Sequence, residues 1–265
     1  MGRETELCNR LGRTPEERLL LRRVLDQSMG AVRKCEPCRT PFLTPRECAL
    51  AKQLIAALGH PAHRFEGGYP EAERQVCLFL PDWLEPEDAL PEPYGLAALR
   101  AGWYEGDTLG HRDILGALMG LGIRRETVGD LLGSQHSCDI LLLPEILPYL
   151  RENFTQAGRV KLKCSEIPLP ELSVPPIAKK LLHGTVSSLR LDAVAATGFG
   201  TSRAKMTEAI SSGRVSLNHL ECTRADQAVA EGDVLACRGM GKCRLIAVGG
   251  LSRKGRVAIT VERYL

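Results

Sequence analysis

The chain has 265 residues, 44% apolar and 25% charged, the proportions of a globular protein with room for two or three domains. No apolar run approaches the ~20 residues needed to span a bilayer, and the opening Met-Gly-Arg-Glu-Thr-Glu carries no apolar leader. The 10 cysteines therefore read as reduced thiols of a cytoplasmic protein, not as a disulfide framework. The net charge of +3 conceals an asymmetry. Residues 189–265 hold 12 Lys and Arg against 7 Asp and Glu, whereas the first 188 hold 23 against 25. Positive charge gathered in one segment is what binding to phosphate requires, although a merely basic domain would look the same.

Residues 1–34 read as helical. Thr14-Pro15-Glu16-Glu17 supplies a cap, a proline at the first helical position and acids in the first turn. Leu19, Leu20, Val24 and Leu25 give the apolar stripe, and Arg18, Arg22, Arg23, Arg33 and Lys34 read as a solvated surface before they read as a basic face. Cys35 and Cys38 have the spacing of half a zinc site. The available partners are Cys48 and the His60/His63 pair, but the intervening helix gives a spacing that fits no zinc pattern, so no metal and no cofactor is expected. Thr44-Pro45-Arg46-Glu47 repeats the helix start, and that helix runs to Leu58 before Gly59. Gly67-Gly68 marks a tight turn or a close backbone approach and lacks the strand–glycine–helix setting of a phosphate loop. A strand follows at Val76–Leu80, and Leu84–Pro93 is acidic and proline-rich, a natural linker closing an N-terminal region of residues 1–90.

From Leu96 to Ile167 the order is strand (Leu96–Tyr104), helix (His111–Leu121), strand (Thr127–Leu132), strand (Cys138–Leu143), helix (Pro144–Asn153) and strand (Arg159–Ile167). That is the split βαβ order of a ferredoxin-like or RRM-like domain, placed at residues 94–167. Base-stacking RRMs carry aromatics on central strands. Here Trp103 and Tyr104 are the only strand aromatics, so RNA binding by this domain would rest on shape and charge. Pro168–Pro176 begins a second linker, drawn to residue 187.

Residues 188–265 carry the densest signal. A helix over Leu189–Thr197 meets a Gly-Phe-Gly turn, Ser202 stands at an N-cap, and Arg203–Ser212 is a second helix ended by Gly213. Met206, Ala209 and Ile210 form its apolar stripe, flanked by Arg203 and Lys205. Strands follow at Arg214–Asn218 and Asp233–Arg238. Two more, Lys242–Val248 and Val257–Arg263, are joined by the basic turn Arg253-Lys254-Gly255-Arg256.

The ordered set Arg190-Leu191-Asp192, Ser202-Arg203, Ile210, Gly213-Arg214-Val215, Asn218 and Glu231-Gly232-Asp233-Val234 resembles the S4 RNA-binding domain. Upstream, Phe42 to Glu47, Phe65-Glu66-Gly67-Gly68-Tyr69-Pro70-Glu71-Ala72-Glu73-Arg74 and Gly110 to Ile123 extend the match, as do Gly158-Arg159-Val160 and Lys254-Gly255-Arg256. Together they resemble the YlmH-type bacterial S4 proteins, from about Phe42 onward. The resemblance implies an α+β protein of the cytoplasm encoded near cell-division genes. It implies association with the large ribosomal subunit through rRNA, with tRNA as a further partner, in rescue of stalled subunits carrying peptidyl-tRNA. A non-enzymatic monomer is expected, with no membrane partner. The phosphate contacts would come from Arg190, Ser202, Arg203, Lys205, Arg214, Asn218, Arg238 and Lys242. Two departures stand out. His219 occupies a position where many S4 domains have glycine, so a different turn is expected, and the Cys35/Cys38 pair has no counterpart in the family.

The competing reading is an RNA-modifying enzyme, since S4 modules are appended to pseudouridine synthases and methyltransferases. Arg190-Leu191-Asp192 matches part of the synthase loop but lies within the S4 helix, where Asp192 is expected on the helix surface; no methyltransferase glycine loop is found. A cell-division adaptor using the same RNA domain is the third alternative.

Overall fold

The computed structural model describes residues 2–59, 62–86, 88, 90 and 94–265. Two compact units result, residues 1–175 and 176–265.

The first unit opens with helices α1 (Arg3–Leu11) and α2 (Pro15–Lys34), then strand β1 (Cys38–Arg39), helix α3 (Pro45–Leu58) and strands β2 (His63–Glu66) and β3 (Val76–Phe79). Both expected helix starts are capping boxes. Thr14 accepts from the Glu17 amide and Thr44 from the Glu47 amide, while each glutamate returns a bond to the cap amide. The three strands pair in the order β1-β3-β2. Strand β2 had no sequence expectation: a short half-buried strand bounded by Gly67-Gly68 offers too little alternation to stand out. The segment expected as a linker folds back where it is described. Leu84 is buried, and Arg64 Nη1 donates to the carbonyls of Pro86 and Asp88 at 2.8 and 2.7 Å. Residues 87, 89 and 91–93 of that segment lie outside the described residues.

Next come β4 (Ala97–Gly102), α4 (His111–Gly120), β5 (Val128–Gly133), β6 (Ser137–Leu142) and α5 (Leu147–Asn153). A small hairpin of β7 (Gln156–Ala157) and β8 (Val160–Lys161) leads into β9 (Lys163–Ile167). The sheet order β5-β6-β4-β9, antiparallel throughout, is the ferredoxin-like arrangement that the sequence predicts. Its fourth strand is interrupted: the expected run Arg159–Ile167 divides into β8 and β9. Trp103 and Tyr104 fall just beyond β4, which ends at Gly102.

Odd positions of β4 face the helices, so Leu99 and Ala101 join Ile114, Leu118, Ile140 and Leu150 in one core. Even positions face the other way. Ala98, with Leu141 and Ile167, packs against Phe42, Val76 and Leu78 of the N-terminal sheet region. The division drawn between residues 90 and 94 therefore falls inside one unit. The Phe65-to-Arg74 segment fastens it. Asp130 on β5 accepts from Tyr69 Oη at 2.9 Å and from the amides of Glu73 and Arg74 at 2.7 and 3.2 Å. Arg74, mostly buried, donates to the carbonyls of Val128 and Phe42 at 3.1 and 3.0 Å. The glycines permit the approach, since a Cβ on Gly67 would lie 2.3 Å from that of Ala72 and one on Gly68 2.5 Å from Leu141.

The second unit is a six-stranded antiparallel sheet with two helices. It comprises β10 (Lys179–Val186), α6 (Leu191–Phe199), α7 (Arg203–Ser211), β11 (Val215–Leu217), β12 (Leu220–Glu221), β13 (Val234–Cys237), β14 (Gly241–Leu251) and β15 (Val257–Tyr264), in the order β10-β15-β14-β13-β11-β12. Strand β10 corrects the expected linker at 168–187. It pairs with β15 over eight positions, from Lys179↔Tyr264 to Val186↔Val257. Its glycine and its run of exposed positions hide the strand pattern. The start of that linker is also held: Arg100 donates to the Glu171 carbonyl at 2.8 Å and Ser173 Oγ at 3.0 Å. Among the described residues no helix is long and apolar enough to cross a membrane.

Candidate nucleic-acid interface

Helix α6 is almost wholly buried, with Leu191, Val194, Ala195 and Phe199 in the core beside Met206, Ala209 and Ile210 of α7. It begins two residues later than the sequence suggests and runs on to Phe199, with Gly200 left-handed at its C-cap. The first amides of α6 find partners in the loop before β13, Leu191 donating to the Gln227 carbonyl at 2.8 Å and Asp192 to that of Ala225 at 3.1 Å. Ser202 caps α7 as expected, accepting from the Lys205 amide at 3.3 Å.

Asp192 lies inside the fold rather than on the helix surface; it is 3% exposed. The reason is a pair of guanidinium forks. Arg190 reaches its carboxylate from Nε and Nη2 at 3.2 and 3.3 Å, and Arg203 from Nε and Nη2 at 3.0 and 3.3 Å. Burial pushes the Asp192 carboxyl up, but the bonds from Arg203 and Arg190 outweigh it, so the group ends below the usual carboxylate range. Both arginine side chains stay open to solvent, 40% and 50% exposed. One buried anion thus orients two half-exposed cations and leaves the trio with net positive charge. The Nη1 edge of each fork has no partner among the described residues, which suits a phosphate. Arg203 pairs with Asp192, eleven positions back on α6.

Lys205 is exposed one turn into α7. Across the sheet, the Arg238 amide donates to the Arg214 carbonyl at 3.0 Å, setting two exposed arginines side by side at the end of β11 and β13. Like charges so placed cost stability unless an anion joins them. Glu208 stands 3.9 Å from Arg214, whose Nε also donates to Ser212 Oγ at 3.0 Å.

Asn218 and Lys242 are placed differently. Asn218 and His219 make the two-residue turn between β11 and β12 with φ of 49° and 66°. Both residues take the left-handed region without a glycine. Asn218 holds the turn: its Nδ2 donates to Asp233 Oδ1 at 2.7 Å and its Oδ1 accepts from the Val234 amide at 2.9 Å. Its side-chain amide is engaged within the fold. Lys242 lies on β14 with its ammonium 4.6 Å from the Tyr264 ring centroid, and Lys179 approaches the same ring at 5.3 Å. The structure thus joins Arg190 with Arg203, and Arg214 with Arg238, and reveals Asp192 and Tyr264 as residues that composition and spacing missed. Arg190-Leu191-Asp192 was the available signal for the first.

Among the described residues no three His, Cys, Asp or Glu side chains are grouped to hold a metal; His60, one of the considered ligands, lies outside them.

Three family models match the chain: "YlmH, N-terminal" over residues 16–81, "Putative RNA-binding domain in YlmH" over 105–171 and "S4 domain" over 189–235. A curated relative, ribosome-associated protein quality control protein P2 of Bacillus subtilis (strain 168), is 32% identical over 224 residues, covering 84% of this chain and 86% of that protein. A solved structure, cell division protein ylmH from Streptococcus pneumoniae, aligns with a TM-score of 0.51 at 23% identity, covering 62% of this chain and 98% of that one. At that identity the likeness speaks for the fold.

Proposed function

The chain belongs to the YlmH family of S4-domain proteins, and we propose that it is a non-enzymatic RNA-binding protein acting on the large ribosomal subunit. It grips rRNA through the S4 face of α6 and α7 and serves the rescue of stalled subunits carrying peptidyl-tRNA. The observation that carries this is the Asp192-held pair Arg190 and Arg203, half exposed and beside Lys205. Fixed guanidinium forks read phosphate position without forming or breaking a bond. The name of the Bacillus subtilis relative, which places that protein on the ribosome in quality control, supports the setting. Asp192 is committed to two arginines, a poor state for a catalytic base or nucleophile.

Crosslinking in cells followed by RNA sequencing tests this reading. Reads concentrated on large-subunit rRNA, with tRNA alongside, are expected. Reads concentrated on one uridine or methylation target, lost as a modification in a deletion strain, would establish the enzyme instead.

A further inference from the structure

RRM-like domains offer RNA the sheet face opposite their helices. Here half of that face is closed, by the packing of Ala98, Leu141 and Ile167 under Phe42 and Val76. Arg100 is held too, by Asp139 at 2.6 and 2.7 Å. What stays open is the end of the sheet beyond Arg100, an open groove of about 500 Å³ lined by Gly102, Trp103, Tyr104, Lys161 and Lys163.

Register explains the groove. Gly102 stands opposite Lys163 on the antiparallel edge strand β9. Beyond that pair, Tyr104 and Lys161 of β8 line the same groove. The two lysines lie two residues apart on one side of the chain, roughly 6.6 Å, and both are exposed. Neither makes an ion pair among the described residues, and Glu166 on the same strand is taken by Arg151 at 3.4 Å. Tyr104 is 76% exposed. Its ring rests over Gly106, where a Cβ would come within 2.8 Å of Cε1, and the Asp107 amide closes the turn onto the Tyr104 carbonyl at 2.9 Å. The ring is therefore steadied by the turn while most of it stays open to solvent. Trp103 anchors the floor, packed against the helix-side core.

We propose that this groove is a second RNA site, taking a single-stranded segment with one base stacked on Tyr104 and flanking phosphates on Lys161 and Lys163. An exposed aromatic ring beside unpaired lysines is how single strands are held without sequence readout. The site extends the RNA-binding reading of the S4 face and fails or holds independently of it.

Trp83 and Trp103 are the two tryptophans of the chain, so Trp83→Phe leaves Trp103 as the sole indole reporter. Titrating this full-length variant with an oligouridine strand should give a saturable change in Trp103 emission. Adding Tyr104→Ala with Lys161→Gln and Lys163→Gln should weaken the response about tenfold or more. Tyr104→Ala alone, at an exposed position, serves if the triple variant does not fold. Arg203→Ala with Lys205→Ala should leave the response saturable, and oligoglutamate should give none. The proposal is overturned if the strand is retained on a filter while Trp103 stays silent, a result that spares the S4 reading. It is overturned equally if Tyr104→Ala binds like its parent in the Arg203/Lys205 background, or if oligoglutamate elicits the same response, which would mark an acidic-peptide site. A Trp103 response with undiminished subunit binding on Arg203/Lys205 substitution would instead count against the S4 face and support the groove.

Discussion

Asp192 does two jobs through one carboxylate: it joins α6 to α7 through Arg203, and it aims Arg190 and Arg203 outward. Asp192→Asn keeps the shape but loses the charge, and should destabilise the S4 unit by about 1–3 kcal/mol. RNA affinity should fall with it, because the forks lose their fixed orientation. The pH dependence has a definite sign. The folded carboxyl titrates below its unfolded value, so its stabilisation is complete above about pH 3.9 and is lost as pH falls through the lower folded value. Acid unfolding of the wild-type unit, followed by circular dichroism, should contain this loss, and the Asn variant should lack it. Asn218 makes the opposite case. Its amide is spent on Asp233 and Val234, so Asn218→Ala should cost about 1–2 kcal/mol in denaturant unfolding with RNA affinity retained by the folded fraction.

At the scale of elements, the Phe65-to-Arg74 segment is a clasp between two sheets, with Asp130 as its anchor. Asp130→Ala removes three bonds, from the Tyr69 hydroxyl and the amides of Glu73 and Arg74, and takes one supporting negative charge from the half-buried Arg74 guanidinium, whose burial disfavours its charged form. A loss of about 2–4 kcal/mol is expected for unfolding of residues 1–175, with the S4 unit's transition unmoved. The elements most legible in the sequence were those written in local chemistry: the two Thr-Pro-x-Glu helix starts, the Met206/Ala209/Ile210 stripe and the order of the ferredoxin-like strands. What stayed hidden depends on partners far along the chain. Strand β10 is defined by β15, some eighty residues on, and the burial of Asp192 by an arginine eleven positions away. No local window announces the first, and for the second the neighbouring Arg190 gives only half of the arrangement.

For the whole molecule, the boundary between units lies at Pro175 and Pro176, not at 188. A fragment of residues 176–265 should fold cooperatively, whereas one starting at 188 loses β10, bares the long edge of β15 and should aggregate or melt at lower temperature. The charge asymmetry has the same resolution. The basic C-terminal segment is a self-contained unit in which Arg190 and Arg203 are held in place by its own Asp192, and the groove beside Tyr104 gives the other unit a separate basic edge. The central claim is that Arg203 and Lys205 on α7 meet phosphate. Its most direct measurement is the salt dependence of large-subunit binding by the full chain and by the Arg203→Ala/Lys205→Ala variant. The account predicts weaker binding and a log–log slope shallower by roughly 0.7–0.9 for each phosphate that the variant no longer neutralises. Unchanged affinity and slope in a folded variant would contradict it.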